Sequence, residues 1–224
     1  MTTLENAQDA RRERNAATKY DAFISYSHVA DARLASALEK HLEQLAKPWY
    51  HLRAISVFRD ETALTASPHL WPNITSSLRS SRYLILLAST TAAESKWVRK
   101  ELCFWISDGT CEDPSQLKPE MIKPSQVERL LIVLTEGDIT WDDSTGGHGD
   151  FNWQQTNALS RVLSDVFSGE PFWIDLRWAR TNVQAELTRS NAEFLKGVAK
   201  LSAPIRNLDV ETLIGEDYRQ QRRT

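Results

Sequence analysis

The sequence predicts an α/β protein, an open parallel sheet with helices on both faces. Apolar strand patterns and helical patterns alternate along the chain. Two of the strand patterns, Tyr83–Ala88 and Leu130–Leu134, are apolar at every position, which marks strands covered on both sides. Composition agrees: in 224 residues, 41% hydrophobic and 25% charged residues are ordinary globular values, enough for one main domain with tails.

Residues 1–18 are polar and charged with no apolar stripe, and read as a mobile leader or frayed helix ahead of a domain at 19–203. Tyr20–Tyr26 is a short apolar and aromatic run ending in small polar residues, a buried strand passing into a loop. Leu34, Leu38, Leu42 and Leu45 then recur at helical spacing. Ala54–Phe58 reads as the second strand, with a loop over 59–69 and a helix over Leu70–Arg79 that tolerates Pro72 in its first turn. The third strand is Tyr83–Ala88. Ser95 is placed to N-cap the following helix, which runs to about Ile106. Leu130–Leu134 and Pro171–Leu176 supply the fourth and fifth strands. Helices are expected at about Gln154–Asp165 and Gln184–Ala199. The Gly-rich acidic stretch 141–152 reads as a flexible insertion whose Asp and His residues are either solvated or metal ligands. Residues 204–224 end in charge with no apolar close and read as a tail, or as a linker in a natural chain that continues past Thr224.

Several functions are disfavoured. A net charge of −3 with scattered Lys and Arg offers no basic surface for nucleic acid. No segment approaches the length of a membrane span and the N-terminus has no secretory-type apolar run, so a cytoplasmic location is the default expectation. The two cysteines, Cys103 and Cys111, lack the companions of a zinc site and read as reduced thiols, Cys103 as a small buried residue. The first loop, Ser25-Tyr26-Ser27-His28-Val29-Ala30-Asp31, matches neither the dinucleotide fingerprint nor the P-loop.

Trp97 and Glu101 are the most informative pair. Four residues apart on a helix, they share one face, and Glu101 meets Trp97, Val98, Phe104 and Trp105 at spacings of three and four. No basic residue stands at those positions. Such a carboxylate is raised in pKa, aimed at a cationic ligand, or bonded to a loop amide or distant Arg at the rim of the core.

Tyr20-Asp21-Ala22-Phe23-Ile24-Ser25-Tyr26-Ser27, the Val57-Phe58-Arg59-Asp60 strand end, the Leu84–Ser89 strand and the Ser95–Leu102 segment together resemble a Toll/interleukin-1 receptor (TIR) domain over residues 19–200. The loop Arg59–Trp71 is similar to that of bacterial members and departs from animal receptors, which carry glycine where this chain has Ala66-Ser67-Pro68. The resemblance implies a five-stranded flavodoxin-like sheet and one of two activities. Some TIR domains only associate with one another as scaffolds. Others cleave NAD, and these carry a glutamate in the helix after the third strand. The matching position is Glu101, with Trp97 at the tryptophan that stands four residues earlier in bacterial and plant-effector relatives.

NAD would then be substrate rather than cofactor, with no metal, and the products nicotinamide plus ADP-ribose or a cyclic isomer. Nicotinamide leaves as a neutral base from a cationic precursor, so the ribosyl cation is what needs help, and a fixed carboxylate supplies it. Trp97 is expected to wall the ribose or nicotinamide subsite, or else to pack in the core. Ser25, Tyr26, Ser27 and His28 are candidates for the nicotinamide side, His28 being equally a solvated loop residue. Arg59 and Asp60 are candidates for phosphate or adenosine, unless Arg59 pairs with Asp60 or Asp21. Ser89 is a candidate subsite hydroxyl or the turn residue opening a helix. Self-association through TIR contacts, and fusion to a sensor or repeat region, are further implications. A phosphoacceptor receiver domain fits poorly, because the first and third strands end in Ser25-Tyr26-Ser27 and Ala88-Ser89 rather than in acids.

Overall fold

The computed structural model describes residues 18–45, 54–59, 70–144, 147–182 and 186–221. In chain order these form β1 (Tyr20–Ser25), α1 (His28–Gln44), β2 (Val57–Arg59), α2 (Leu70–Arg79), β3 (Ser81–Ala88), α3 (Thr90–Glu94), α4 (Lys96–Ile106), α5 (Pro124–Val127), β4 (Leu130–Leu134), β5 (Trp141–Asp142), β6 (Asp150–Phe151), β7 (Trp173–Asp175), α6 (Arg177–Thr181), α7 (Ala192–Arg206) and α8 (Val210–Gln221). Five strands pair in parallel in the order β2-β1-β3-β4-β7. The order reverses between β1 and β3, so the loops beyond the carboxyl ends of these two strands diverge and leave a crevice.

The pleat sorts the core. Phe23, Leu84 and Leu86 point to the face covered by α2 and α4, where Ile74, Leu78, Val98 and Leu102 are buried. Ile24, Ile85 and Leu87 point to the face covered by α1, α7 and α8 through Leu34, Leu38, Phe194 and Leu213. Both faces being covered is why β3 and β4 read as unbroken apolar runs. The helix carrying Glu101 is bounded as expected: the Ser95 hydroxyl accepts from the Val98 amide at 3.4 Å, and Ile106 is the last residue.

The second strand is Val57–Arg59 rather than Ala54–Phe58, and further expected segments also differ. The helix expected over Gln154–Asp165 is a run of turns with a short 3-10 turn at Arg161–Leu163. Its polar side chains capture backbone groups that a helix would need: Asn152 accepts from Gln154 N, Asn157 from Asp138 N, Ser160 from Val162 N, and Thr156 bonds Thr140. Asp165 is left-handed, at φ 55°. The helix expected from Gln184 to Ala199 begins at Ala192, because the Asn191 side chain accepts from Glu193 and Phe194 N, and it continues to Arg206, ending at left-handed Asn207. Residues 184 and 185 of that expectation lie outside the described residues.

The segment expected to be a tail is in part α8. Leu213 is fully buried, with Val210 and Ile214 against the same core. Asp217 is buried as well and ion-paired with Arg189 at 2.8 Å. Positions 210, 213, 214 and 217 form one helical stripe whose last member is acidic, which concealed the pattern. The insertion at 141–152 contains the antiparallel pair β5-β6, anchored by the contact of Phe151 with Trp141, Trp153 and Phe167.

The leader at 1–17 and the loop at 60–69 lie outside the described residues.

Candidate active site

Successive residues at the end of β1 face opposite sides of the sheet, and this parts the expected site residues. Ser25 turns toward α4, where its hydroxyl donates to Glu101 Oε2 at 2.5 Å. Tyr26 turns into the other core, where its ring lies 4.5 Å from that of His28 and its hydroxyl accepts from Arg59 Nη1 at 3.2 Å. Arg59 also pairs with Glu39 at 2.7 Å rather than with Asp21, which bonds Arg82 and the Ser56 amide. Burial opposes the charge on Arg59, but Glu39 and the Tyr26 hydroxyl outweigh it and raise its pKa. Tyr26, His28, Arg59 and Glu39 thus form one tied group on the α1 side, while Asp60 lies outside the described residues.

Glu101 is 6% exposed on α4, held there by Val98 and Leu102 beneath the helix. One turn earlier Trp97 is 40% exposed, so it is not a core residue. Its ring centroid lies 6.2 Å from that of Trp71 on α2, and Lys100 Nζ stands 3.9 Å over Trp71 and 5.5 Å from the Trp97 centroid. Trp71 is steadied by Phe104 edge-on at 6.0 Å and by its indole N–H to Glu112 at 2.8 Å. A cleft of about 620 Å³ lies along the same helix, lined by Lys96, Arg99 and Lys100 with Glu112 and Asp113; Glu101 and the two indoles are not among its lining residues.

Ser27 N-caps α1 through its backbone carbonyl, which accepts from Ala30 and Asp31. Ser89 is fully buried, and its hydroxyl accepts from Ala92 N and donates to Asp31 Oδ2 at 2.8 Å. The Ser89 hydroxyl therefore opens α3 rather than facing a crevice. Thr135, just past β4, donates to the other oxygen of Asp31 at 2.8 Å, and Arg180 stands 3.6 Å away while pairing Glu136 at 3.0 Å. Burial pushes the Asp31 carboxyl above its ordinary 3.8, against the pull of Thr135, Ser89 and Arg180.

The reading of residues missed Asp31, Trp71 and Lys100. A signal for Asp31 was present: Ser25, Ser89 and Thr135 put a hydroxyl at the carboxyl ends of β1, β3 and β4, where an acid is easily held. Among the described residues no group of three or more His, Cys, Asp or Glu side chains could hold a metal ion, and no helix is long and apolar enough to cross a membrane.

The fold is a doubly wound parallel sheet with a serine-held carboxylate near the end of its central strands. A TIR-domain profile matches residues 22–160. The chain belongs to the TIR-domain family. It is 39% identical over 204 residues to the NAD(+) hydrolase ApTIR of an Actinoplanes species, an alignment covering 91% of this chain and 25% of that protein. The chain thus spans about a quarter of that relative's length. It also aligns at 15% identity with the TIR domains of the activated Roq1 resistosome recognising the effector XopQ, over 90% of this chain and 99% of the other, with a TM-score of 0.37.

Proposed function

We propose that this domain cleaves the nicotinamide–ribose bond of NAD, giving nicotinamide and ADP-ribose, a cyclic isomer, or both. The carrying observation is Glu101: a nearly buried carboxylate, oriented by Ser25, one helical turn from an exposed tryptophan. Similarity to a protein named an NAD(+) hydrolase supports the same reading.

The chemistry follows from the charges. As the C1′–N bond lengthens, positive charge moves from the pyridinium to the ribose ring, and a carboxylate already fixed in place stabilises it without reorganising. Ser25 is the positioning residue that sets the carboxylate's direction. Trp97 offers a ring for stacking and keeps water from one side of the sugar. Lys100, poised between two indoles, supplies a cation for the pyrophosphate. Water reaching C1′ gives ADP-ribose, and an internal nucleophile gives the cyclic product. NAD is consumed, so it is substrate and not cofactor.

The same reading carries self-association through TIR contacts, with a second copy completing the pocket, a role in bacterial signalling or defence in the cytoplasm, and fusion to a sensor region. Purified protein incubated with NAD should release nicotinamide at a rate that rises faster than linearly with protein concentration, and Glu101→Gln should cut release by about a thousandfold. No release at any concentration would leave a non-catalytic association module.

A further inference from the structure

The chain has two cysteines, and the fold stacks one on the other. Cys103 lies in the last turns of α4, fully buried. Beyond Ile106 the chain reverses sharply: Asp108 and Gly109 are both left-handed, at φ 53° and 78°, and the Gly109 amide bonds Phe104 O at 2.8 Å. A Cβ at Gly109 would sit 3.0 Å from the Phe104 ring, so glycine is suited to this reversal. Ser107 completes it, its Oγ accepting from Cys111 N at 3.0 Å. Cys111 returns over α4 with its sulfur 2.8 Å from that of Cys103, and is 4% exposed. A disulfide needs the sulfurs closer by only about 0.8 Å. The adjacent residue, Glu112, holds the Trp71 indole.

We propose that Cys103 and Cys111 are a redox pair, closed to an intramolecular disulfide by hydrogen peroxide, which pins the Glu112 loop, and through it Trp71, onto α4. Cys111 gives up its proton to water and its thiolate attacks the peroxide. The O–O bond breaks, hydroxide leaves as water, and Cys111 becomes a sulfenic acid. Cys103 sulfur then attacks that of Cys111, its proton joining the departing hydroxyl as a second water. Two thiols lose two electrons and one peroxide becomes two waters. Cys103 is fully buried in α4 whereas Cys111 is 4% exposed on the returning loop, so Cys111 meets the peroxide first and Cys103 resolves it; burial also holds the Cys103 thiol's pKa well above the usual range. A thiol reductant reverses the bond.

The test uses the whole chain and no substrate. Protein treated with hydrogen peroxide is unfolded in iodoacetamide and digested with trypsin. Both cysteines fall in one fragment, residues 101–129, because prolines follow Lys118 and Lys123. The expected fragment is two hydrogens lighter and carries no alkyl group, and the oxidised protein melts about 5 °C higher than the reduced form. Cys111→Ser and Cys103→Ser show neither change. Two alkyl groups on the treated wild-type fragment, a cross-link between chains, or sulfinic acid in place of the bond overturns the proposal. The wild-type mass decides it even if a variant does not fold.

Discussion

Two carboxylates, Glu101 and Asp31, are buried near the carboxyl ends of the central strands, and each accepts a serine hydroxyl, Ser25 or Ser89. They differ in what stands over them. Asp31 is 1% exposed, both oxygens take hydroxyl bonds, and Arg180 lies beyond. Glu101 lies one turn from an exposed tryptophan, on a helix flanked by an aromatic platform. Burial therefore does not make an acid catalytic. Asp31 ties elements together, here β3, β4, α1 and α6, whereas Glu101 stands beside an exposed indole, and that setting is what the proposed chemistry uses.

The sharpest way to break this contrast is substitution of the acids. Glu101→Gln keeps shape and most packing, and should cut nicotinamide release by about a thousandfold with a melting temperature close to wild type. A comparable loss of folding, read by circular dichroism, would make Glu101 a structural acid like Asp31. Asp31→Ala should do the reverse, destabilising the fold by about 3 kcal/mol in denaturant titration while the remaining folded molecules turn over NAD normally.

Smaller effects sharpen it. Trp97→Ala should raise the KM for NAD about tenfold with little change in stability, since the ring is 40% exposed. Ser25→Ala should lower kcat about tenfold and leave KM nearly unchanged, because a positioning hydroxyl acts through the carboxylate.

The smallest effect is a pH dependence. Asp31 has a folded-state pKa raised by burial above its ordinary 3.8, so between 3.8 and the raised value the folded state binds more protons than the unfolded state. The contribution of Asp31 to stability then falls as pH rises through that window and is constant above it. The melting temperature of wild type minus that of Asp31→Asn should decline from about pH 4 upward and then level. A rise would show that the hydroxyls and Arg180 outweigh burial.

The sheet and the helix holding Glu101 were legible because their signals are local and repeated. Apolar runs of strand length, leucines at helical spacing, and Ser95 before an amphipathic stretch each state their element within about ten residues. Trp97 and Glu101 were legible because spacing on a helix fixes a shared face. The turns at 154–165 were not, because side-chain capture of backbone groups by Asn152, Thr156, Asn157 and Ser160 depends on partners such as Asp138 and Thr140 that only the fold brings near. α8 was hidden for a related reason: Asp217 in its buried stripe is met by Arg189, a partner far along the chain.

The amino-acid order alone thus determined the strand and helix alternation, the covered parallel sheet, the family and the acid to test. Only tertiary structure decided that Ser25 and Tyr26 part to opposite faces, that Arg59 belongs to Glu39, that Ser89 serves Asp31, and that two cysteines eight residues apart meet. Periodicity is written into neighbours along the chain, whereas pairing between side chains depends on directions in space that are set when the helices pack on the sheet.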